Sequence, residues 1–180
     1  MSSIRDTLLA AGPQLTTRYT LAELSPARIG EGAGLDERAF TETFDSVLDY
    51  INGLQQRFMD GLRDRIFKLT LDAPPGLLRV KLASEAYLSG CLEQRALRSW
   101  LIEARAQPLV AAGLRKQNQV YWLIVGSELA TKGWPHPQAA GRLYLAMINE
   151  ASVVEHRAGQ VVTSVREALW DFLERGGPRT

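Results

Sequence analysis

The amino-acid sequence predicts an all-α protein of about nine helices. Apolar residues recur three or four positions apart along almost the whole chain, and no long stretch alternates apolar with polar residues. Capping residues, prolines and glycines divide this pattern into segments, as they do at the ends of helices. We therefore expect a three-helix N-terminal head over residues 1–48 and a larger helical body over residues 49–180.

The first predicted helix covers residues 4–15, where one isoleucine and three leucines form an apolar stripe. Pro13 lies late in this segment. Since proline lacks a backbone N–H and its ring clashes with the preceding turn, Pro13 predicts a kink or an early end of the helix.

Two short helices are predicted next, at about 26–32 and 37–44. Ser25 is a good N-cap for the first helix, Gly34 follows it, and Asp36 caps the second. Two capped helices joined by a turn that contains glycine form a helix-turn-helix, the geometry that places a second helix in the major groove of DNA.

A longer helix is predicted from about residue 46 to residue 71, where one apolar stripe continues for seven turns, and this helix connects the head to the body. The sequence DAPPG at 72–76 is the strongest break in the chain. The remaining helices are expected at about 77–91, 93–105, 109–132, 138–157 and 161–175.

Composition indicates a globular protein. The chain has 180 residues, of which 46% are hydrophobic, enough for a sizeable core. The sequence has neither an apolar run of the roughly 20 residues that span a bilayer nor a signal segment, so we expect a cytoplasmic protein with no membrane contact.

The single cysteine, Cys91, excludes an internal disulfide and a multi-cysteine metal site. We expect its side chain to be a small buried hydrophobic group.

Charge is distributed unevenly along the chain. The net charge is only +1, but residues 1–50 hold four arginines against eight acidic residues, a net of −4. DNA binding draws most of its non-specific affinity from basic groups that displace counterions. The acidic head is therefore unfavourable for DNA binding.

No motif supports catalysis. The G-x-G-x-G at 30–34 is preceded by no strand and followed by no Lys-Ser/Thr pair. His136 and His156 are twenty residues apart and lack metal-binding spacing. The carboxylate pairs Asp45/Asp49 and Asp60/Asp64 lie on faces expected to be exposed, not in the sheltered pockets that general acid-base chemistry requires. We therefore expect no enzyme activity, no cofactor and no metal.

The head contains, in order, a short capped helix, an Ala-Gly turn, a second capped helix and a closing phenylalanine. The residues that define this order are Ile29, Ala33, Gly34, Leu35, Phe40 and Phe44. The order resembles the N-terminal domain of the TetR family of bacterial transcriptional regulators. The segments at 142–159 and 163–173 resemble the last two helices of that family, so the resemblance covers nearly the whole chain.

The resemblance implies a regulator that binds a palindromic DNA operator as a dimer. Arg38 would contact a base or a phosphate, helped by Arg28, Thr41 and Thr43. Glu37 is compatible with this interface, because a carboxylate can accept a hydrogen bond from the amino group of cytosine.

The resemblance also implies a small-molecule effector held among the helices of the body. Several aromatic and apolar residues could line a cavity there, which favours an apolar ligand; a fully packed core without a cavity is the alternative. The candidate ligand-binding residues are Phe58, Leu62, Tyr87, Trp100, Tyr121, Trp122 and Val125.

The last two helices are candidates for a twofold homodimer interface. The first of them is apolar on more than one face, as a helix buried on two sides would be, and the pair resembles the family's dimeric four-helix interface. The candidate interface residues are Leu145, Ile148, Val153, Val165, Leu169 and Phe172.

Three positions differ from the family pattern in the head. Where the family carries a tyrosine, a basic residue or histidine, and a lysine that hold DNA phosphates, this chain has Thr41, Glu42 and Val47. The alternative hypothesis is therefore a TetR-like protein that has lost operator binding and acts through protein partners or ligand sensing.

Overall fold

A computed structural model describes residues 3–177, and within them the regular structure is helical throughout. This confirms the all-α prediction. None of the described helices is long and apolar enough to cross a membrane. The helices are α1 (Ile4–Leu15), α2 (Pro26–Gly32), α3 (Glu37–Thr41), α4 (Val47–Thr70), α5 (Leu77–Glu93), α6 (Arg95–Ala104), α7 (Pro108–Ala130), α8 (Pro137–Ala158) and α9 (Thr163–Arg175), with one 3₁₀ turn at Leu21–Glu23.

Most predicted boundaries agree with these helices to within a few residues, but α3 is shorter than expected. It ends at Thr41 instead of residue 44. The hydroxyl of Thr43 donates to the carbonyl oxygen of Ala39 at 2.7 Å, and such local side-chain bonds compete with helix continuation. Pro13 lies inside α1, which continues to Leu15.

The chain forms two compact units. The first comprises the residues up to Asp60 together with Gln94–Leu114, and the second comprises Gly61–Glu93 together with the residues from Arg115 onward. The first unit thus contains α1 to α3, the first part of α4, α6 and the start of α7. The predicted head over 1–48 is part of this first unit.

An aromatic cluster forms the core of the head. The ring centroids of Phe40, Phe44 and Tyr50 lie 5.3 to 5.9 Å apart, and all three side chains are buried. The Tyr50 hydroxyl donates to the carbonyl oxygen of Leu8 at 3.0 Å. Burial raises the pKa of Tyr50 above its ordinary value, so the phenol remains neutral. The cluster joins α3 to both α1 and α4.

The second unit has its own core, centred on Tyr144 of α8. The Tyr144 ring stacks on Phe172 of α9 with centroids 6.1 Å apart, and its hydroxyl is 2.8 Å from the hydroxyl of Ser84 on α5. This bond satisfies a polar group that would be costly to bury alone. Leu88 and Leu129 are fully buried in the same cluster.

A buried ion pair fixes the turn between α8 and α9. Glu155 is only 1% exposed, and its carboxylate accepts hydrogen bonds from Arg166 Nε at 2.7 Å, Arg166 Nη2 at 2.8 Å and the backbone N–H of Val162 at 3.1 Å. The hydrogen bonds from its guanidinium to Glu155 raise the pKa of Arg166. Three charge-assisted bonds satisfy a carboxylate that would otherwise be strongly destabilising when buried.

Helices α7 and α8 approach each other closely at two glycines. A Cβ atom added to Gly141 would lie 2.6 Å from the backbone nitrogen of Gly126 and 2.7 Å from the carbonyl oxygen of Trp122. Because both of these atoms belong to the backbone, neither could move aside without shifting α7. The absence of a side chain at Gly141 therefore permits this packing.

Replacing Gly141 by alanine should lower the free energy of unfolding by about 1–3 kcal/mol, the usual cost of overpacking a core. The matched control is Gly61→Ala in α4, where an added Cβ would meet no atom within 4 Å. That change should instead stabilise the protein by up to about 1 kcal/mol, because alanine favours the helix. Urea unfolding at one fixed protein concentration measures both changes; equal effects would contradict the close approach.

Candidate functional site

The helix-turn-helix is held together by local hydrogen bonds. Ser25 Oγ accepts from the backbone N–H of Arg28 at 3.3 Å, and Asp36 Oδ1 accepts from the N–H of Ala39 at 2.8 Å, so both predicted N-caps are present. Between the helices, Gly34 adopts a φ of +70°, which glycine tolerates without strain.

Gly30 allows the turn to fold back against α2. The backbone N–H of Leu35 donates to the Gly30 carbonyl at 2.9 Å, and a Cβ atom on Gly30 would lie 2.7 Å from the carbonyl oxygen of Asp36. The start of α3 therefore lies directly against the backbone of α2. This contact fixes the position of α3 relative to α2.

Arg28 interacts with its own unit. Its guanidinium donates to the carbonyl oxygen of Glu23 and lies 4.8 Å from the centre of the Tyr19 ring. Because its side chain already makes a hydrogen bond and a cation–π contact, it would have to give up one or both to reach DNA. Among the predicted DNA-binding residues, Arg28 is therefore better placed to stabilise the head.

Arg38 is the exposed cation of α3. Its side chain is 82% exposed, and its Nε lies 2.7 Å from a carboxylate oxygen of Glu42, one helical turn away. An exposed pair of this spacing is worth only about 0.3–0.5 kcal/mol, so a phosphate or a base could displace Glu42 at little cost.

The remaining predicted DNA-binding residues differ in their environment. Glu37 is exposed at the start of α3. The hydroxyl of Thr41 donates to the Arg38 carbonyl at 3.1 Å, and that of Thr43 donates to the Ala39 carbonyl. Since a phosphate accepts but does not donate hydrogen bonds, each threonine would have to break its internal bond to bind one.

The exposed surface of the helix-turn-helix is acidic. Glu31, Glu37, Glu42 and Asp45 are all exposed. At the effective dielectric of a protein surface, two like charges 4 Å apart repel by about 4 kcal/mol, although salt and water screen much of this energy. The geometry of the unit favours DNA binding, whereas its electrostatics oppose it.

The seven candidate ligand-binding residues divide between the two units. Phe58 and Trp100 are buried in the first unit, and the Phe58 ring lies 5.5 Å from the Arg98 guanidinium. Leu62 is buried in the second unit. The other second-unit candidates, Tyr87, Tyr121, Trp122 and Val125, are partly buried.

One groove in the second unit is lined by one of these candidates, and a second candidate is hydrogen-bonded to its lining. Trp122 lines it directly, and the hydroxyl of Tyr87 donates to Oδ1 of Asn149, which also lines it, at 3.0 Å. The groove has a volume of about 480 Å³ and runs between α7 and α8. Its lining comprises Arg115, Asn118, Gln119, Trp122, Arg142, Leu145, Ala146 and Asn149.

Sequence reasoning missed most of this polar lining. The signal was present: on each helix the lining residues are spaced like one helical face, at 115, 118, 119 and 122 on α7 and at 142, 145, 146 and 149 on α8. The polar face of α7 and the polar face of α8 can each be recognised in the sequence. The sequence does not show that the two faces lie opposite each other and form a groove.

The candidate dimer residues lie on α8 and α9, but half of them are buried within the protomer. Ile148, Val153 and Leu169 are at most 6% exposed, so a partner would contact them little. Leu145, Val165 and Phe172 are partly exposed. The most exposed large apolar side chain of α8 is Leu143, at 62%.

Cys91 is buried, as the sequence predicts. Within residues 3–177, no group of three or more histidine, cysteine or acidic side chains is arranged to hold a metal ion.

Comparison with known proteins shows similarity at the level of structure only. No family model matches the sequence, and no curated protein matches it. A transcriptional regulator from Rhodococcus sp. Rha1 superimposes with a TM-score of 0.77 and 16% identity, over 98% of each chain. A protein of unknown function from Rhodococcus sp. RHA1 gives 0.76 and 18%, over 99% of this chain and 97% of that one.

A third similar structure is a named TetR protein. The regulatory protein TetR from Rhodobacter sphaeroides superimposes with a TM-score of 0.70 and 15% identity, over 98% of this chain and 100% of that one. The predicted resemblance is thereby confirmed for the fold: from α1 to α9, the chain has the fold of TetR-family transcriptional regulators.

Proposed function

We propose that this protein is a dimeric transcriptional regulator that binds operator DNA through α2 and α3 and is controlled by a small ligand bound in its second unit. The capped α2–turn–α3 arrangement, with Arg38 exposed on α3, is the observation that carries the proposal. The similarity to solved structures named as regulators supports it.

Arg38 is the central DNA-contacting residue of the proposal. Arginine is the side chain most often used to recognise guanine in the major groove, through two parallel hydrogen bonds. Glu42 holds the guanidinium on the exposed surface until DNA arrives. Glu37 is close enough in sequence to read an adjacent base, in which case it would accept a hydrogen bond from a cytosine amino group.

A second candidate function rests on the acidic surface of the head. Glu31, Glu37, Glu42 and Asp45 repel phosphate but would attract a basic protein surface. In this case the TetR-like fold is retained, operator binding is lost, and the head docks on a basic partner such as the DNA-binding domain of another protein. Charge-neutralising substitutions of these acidic residues distinguish the two functions. They should strengthen DNA binding if the head binds an operator, and they should weaken binding to a basic protein if the head binds a protein partner.

The first experiment is a titration of the purified protein against the DNA that flanks its own gene and against random duplexes, at about 50 and 200 mM salt. Selective binding that weakens steeply with salt is expected. Arg38→Ala should abolish selective binding. Arg18→Ala, which removes an exposed arginine outside α2 and α3, should retain it. Absence of any DNA binding by the folded protein at the lower salt would favour the protein-partner function.

Glu42→Gln should strengthen DNA binding. The substitution frees Arg38 from its ion pair and removes a negative charge from the same face. The control is Glu31→Gln, which makes the same change in charge at an exposed position of α2 for which the structure shows no ion pair. Measured by fluorescence anisotropy, the gain should be larger for Glu42→Gln. If both substitutions instead weaken binding to a basic protein and leave DNA affinity unchanged, the second function is correct.

The proposed dimer uses the exposed face of α8 that carries Leu143 together with the exposed face of α9. Leu145 lies on a different face of α8, where it lines the groove between α7 and α8. Leu143→Glu should convert the dimer to a monomer, because the charge would be buried without a partner at the interface. Leu78→Glu on α5, where the leucine is also about half exposed at 53%, should leave the dimer intact. Sedimentation velocity measures the oligomeric state; a dimer that survives Leu143→Glu would place the interface elsewhere.

A further inference from the structure

We propose that the groove between α7 and α8 binds a small organic anion, specifically a carboxylate with an aromatic or aliphatic body. The proposal rests on the proposed function, in which this molecule is the effector. It replaces the broad expectation of an apolar ligand with a defined chemical class.

The two helices contribute equally to the groove. Each presents four residues over two helical turns, and the glycine contact between Gly126 and Gly141 holds the helices together beside one end. With a rise of 1.5 Å per residue, the span from Arg142 to Asn149 is about 10 Å. A volume of about 480 Å³ falls within the range of small-molecule sites, which is about 300–1,000 Å³.

The electrostatics of the groove favour an anion. Arg115 and Arg142 both line it, and none of its lining residues is acidic. Within the part of the chain that the structure describes, neither arginine forms an ion pair with a carboxylate. Other arginines of the same unit are paired: Arg65 with Glu93, Arg79 with Glu128, and Arg166 with Glu155.

The uncharged residues define the rest of the ligand. Trp122, Leu145 and Ala146 provide apolar surface for an aromatic ring or a short aliphatic chain. Since Oδ1 of Asn149 already accepts a hydrogen bond from Tyr87, the group that Asn149 can offer a ligand is its amide N–H₂, a donor. This donor, like the guanidinium groups of Arg115 and Arg142, suits an acceptor-only group such as a carboxylate.

A planar carboxylate suits the groove better than a phosphate. A guanidinium binds a carboxylate through two parallel hydrogen bonds. The apolar lining residues of the groove need a ligand body that phosphate itself lacks. Both arginines are exposed, so we expect the attraction to weaken with salt.

Isothermal titration calorimetry with a matched pair of probes tests the proposal. Naphthalene-2-carboxylate and 2-naphthylmethanol share an aromatic body, but only the first is charged. The wild-type protein should bind the carboxylate at least tenfold more tightly than the alcohol. The double variant Arg115→Met/Arg142→Met should lose this preference while its far-UV circular dichroism stays unchanged.

Arg157→Met is the control, because it removes an exposed arginine of α8 that does not line the groove. It should retain the preference for the carboxylate. Trp122→Ala should weaken the binding of both probes. Equal affinity of the wild-type protein for the two probes, no detectable binding of the carboxylate, or an equal loss in Arg157→Met and the double variant would each overturn the proposal.

This experiment contains no DNA, so its result separates the inference from the proposed function. Selective DNA binding by a protein that ignores the carboxylate would overturn the groove assignment alone. Carboxylate binding that requires Arg115 and Arg142, in a protein without DNA affinity, would support the groove and overturn the regulator.

Discussion

The head depends on the contact between Tyr50 and the two phenylalanines of the α3 region. A helix of five residues is far below the roughly 12–15 that make an isolated helix even marginally stable in water, so α3 cannot persist by itself. Its one fully buried side chain, Phe40, packs against Phe44 and Tyr50, and burying an aromatic ring of this size contributes about 1.5–3 kcal/mol. The hydroxyl of Tyr50 then fixes α4 against Leu8 of α1. The direction in which Arg38 points follows from this core.

Because this buried aromatic core positions α3, the geometry of the head does not depend on the charge of its surface. The residues that shape the helix-turn-helix are buried or act through backbone and capping bonds, as Asp36 does. The other acidic residues of its surface, Glu31, Glu37, Glu42 and Asp45, are exposed and contribute little to packing. The surface charge can therefore change during evolution without altering the arrangement of α2 and α3. For this reason the exposed charge, and not the arrangement of α2 and α3, selects between DNA and a basic protein as the partner of the head.

The sequence predicts the local features of the fold well and the tertiary ones poorly. Ser25, Asp36 and Gly34 mark helix ends through local chemistry, and each does so in the structure. The helical spacing of Phe40 and Phe44 predicts that α3 continues to residue 44. The helix ends at Thr41, where the hydroxyls of Thr41 and Thr43 bond to backbone carbonyls. An apolar stripe also does not say which partner buries it. Thus Ile148 and Leu169, predicted to face a second subunit, pack into the core of their own unit.

The sequence also does not predict the groove, because the pattern of one helix does not show which other helix lies beside it. The position of the groove follows from two glycines. Gly126 and Gly141 bring the backbones of α7 and α8 together, where side chains would keep them farther apart. Within one to three helical turns of this contact, larger residues such as Trp122 and Arg115 on α7 line the opening between the helices. A ligand in the groove therefore contacts two helices whose separation is set at one end by backbone contact. Any molecule that pushed α7 away from α8 would have to break that contact, so the glycine pair limits the ligand to the space that the groove already provides.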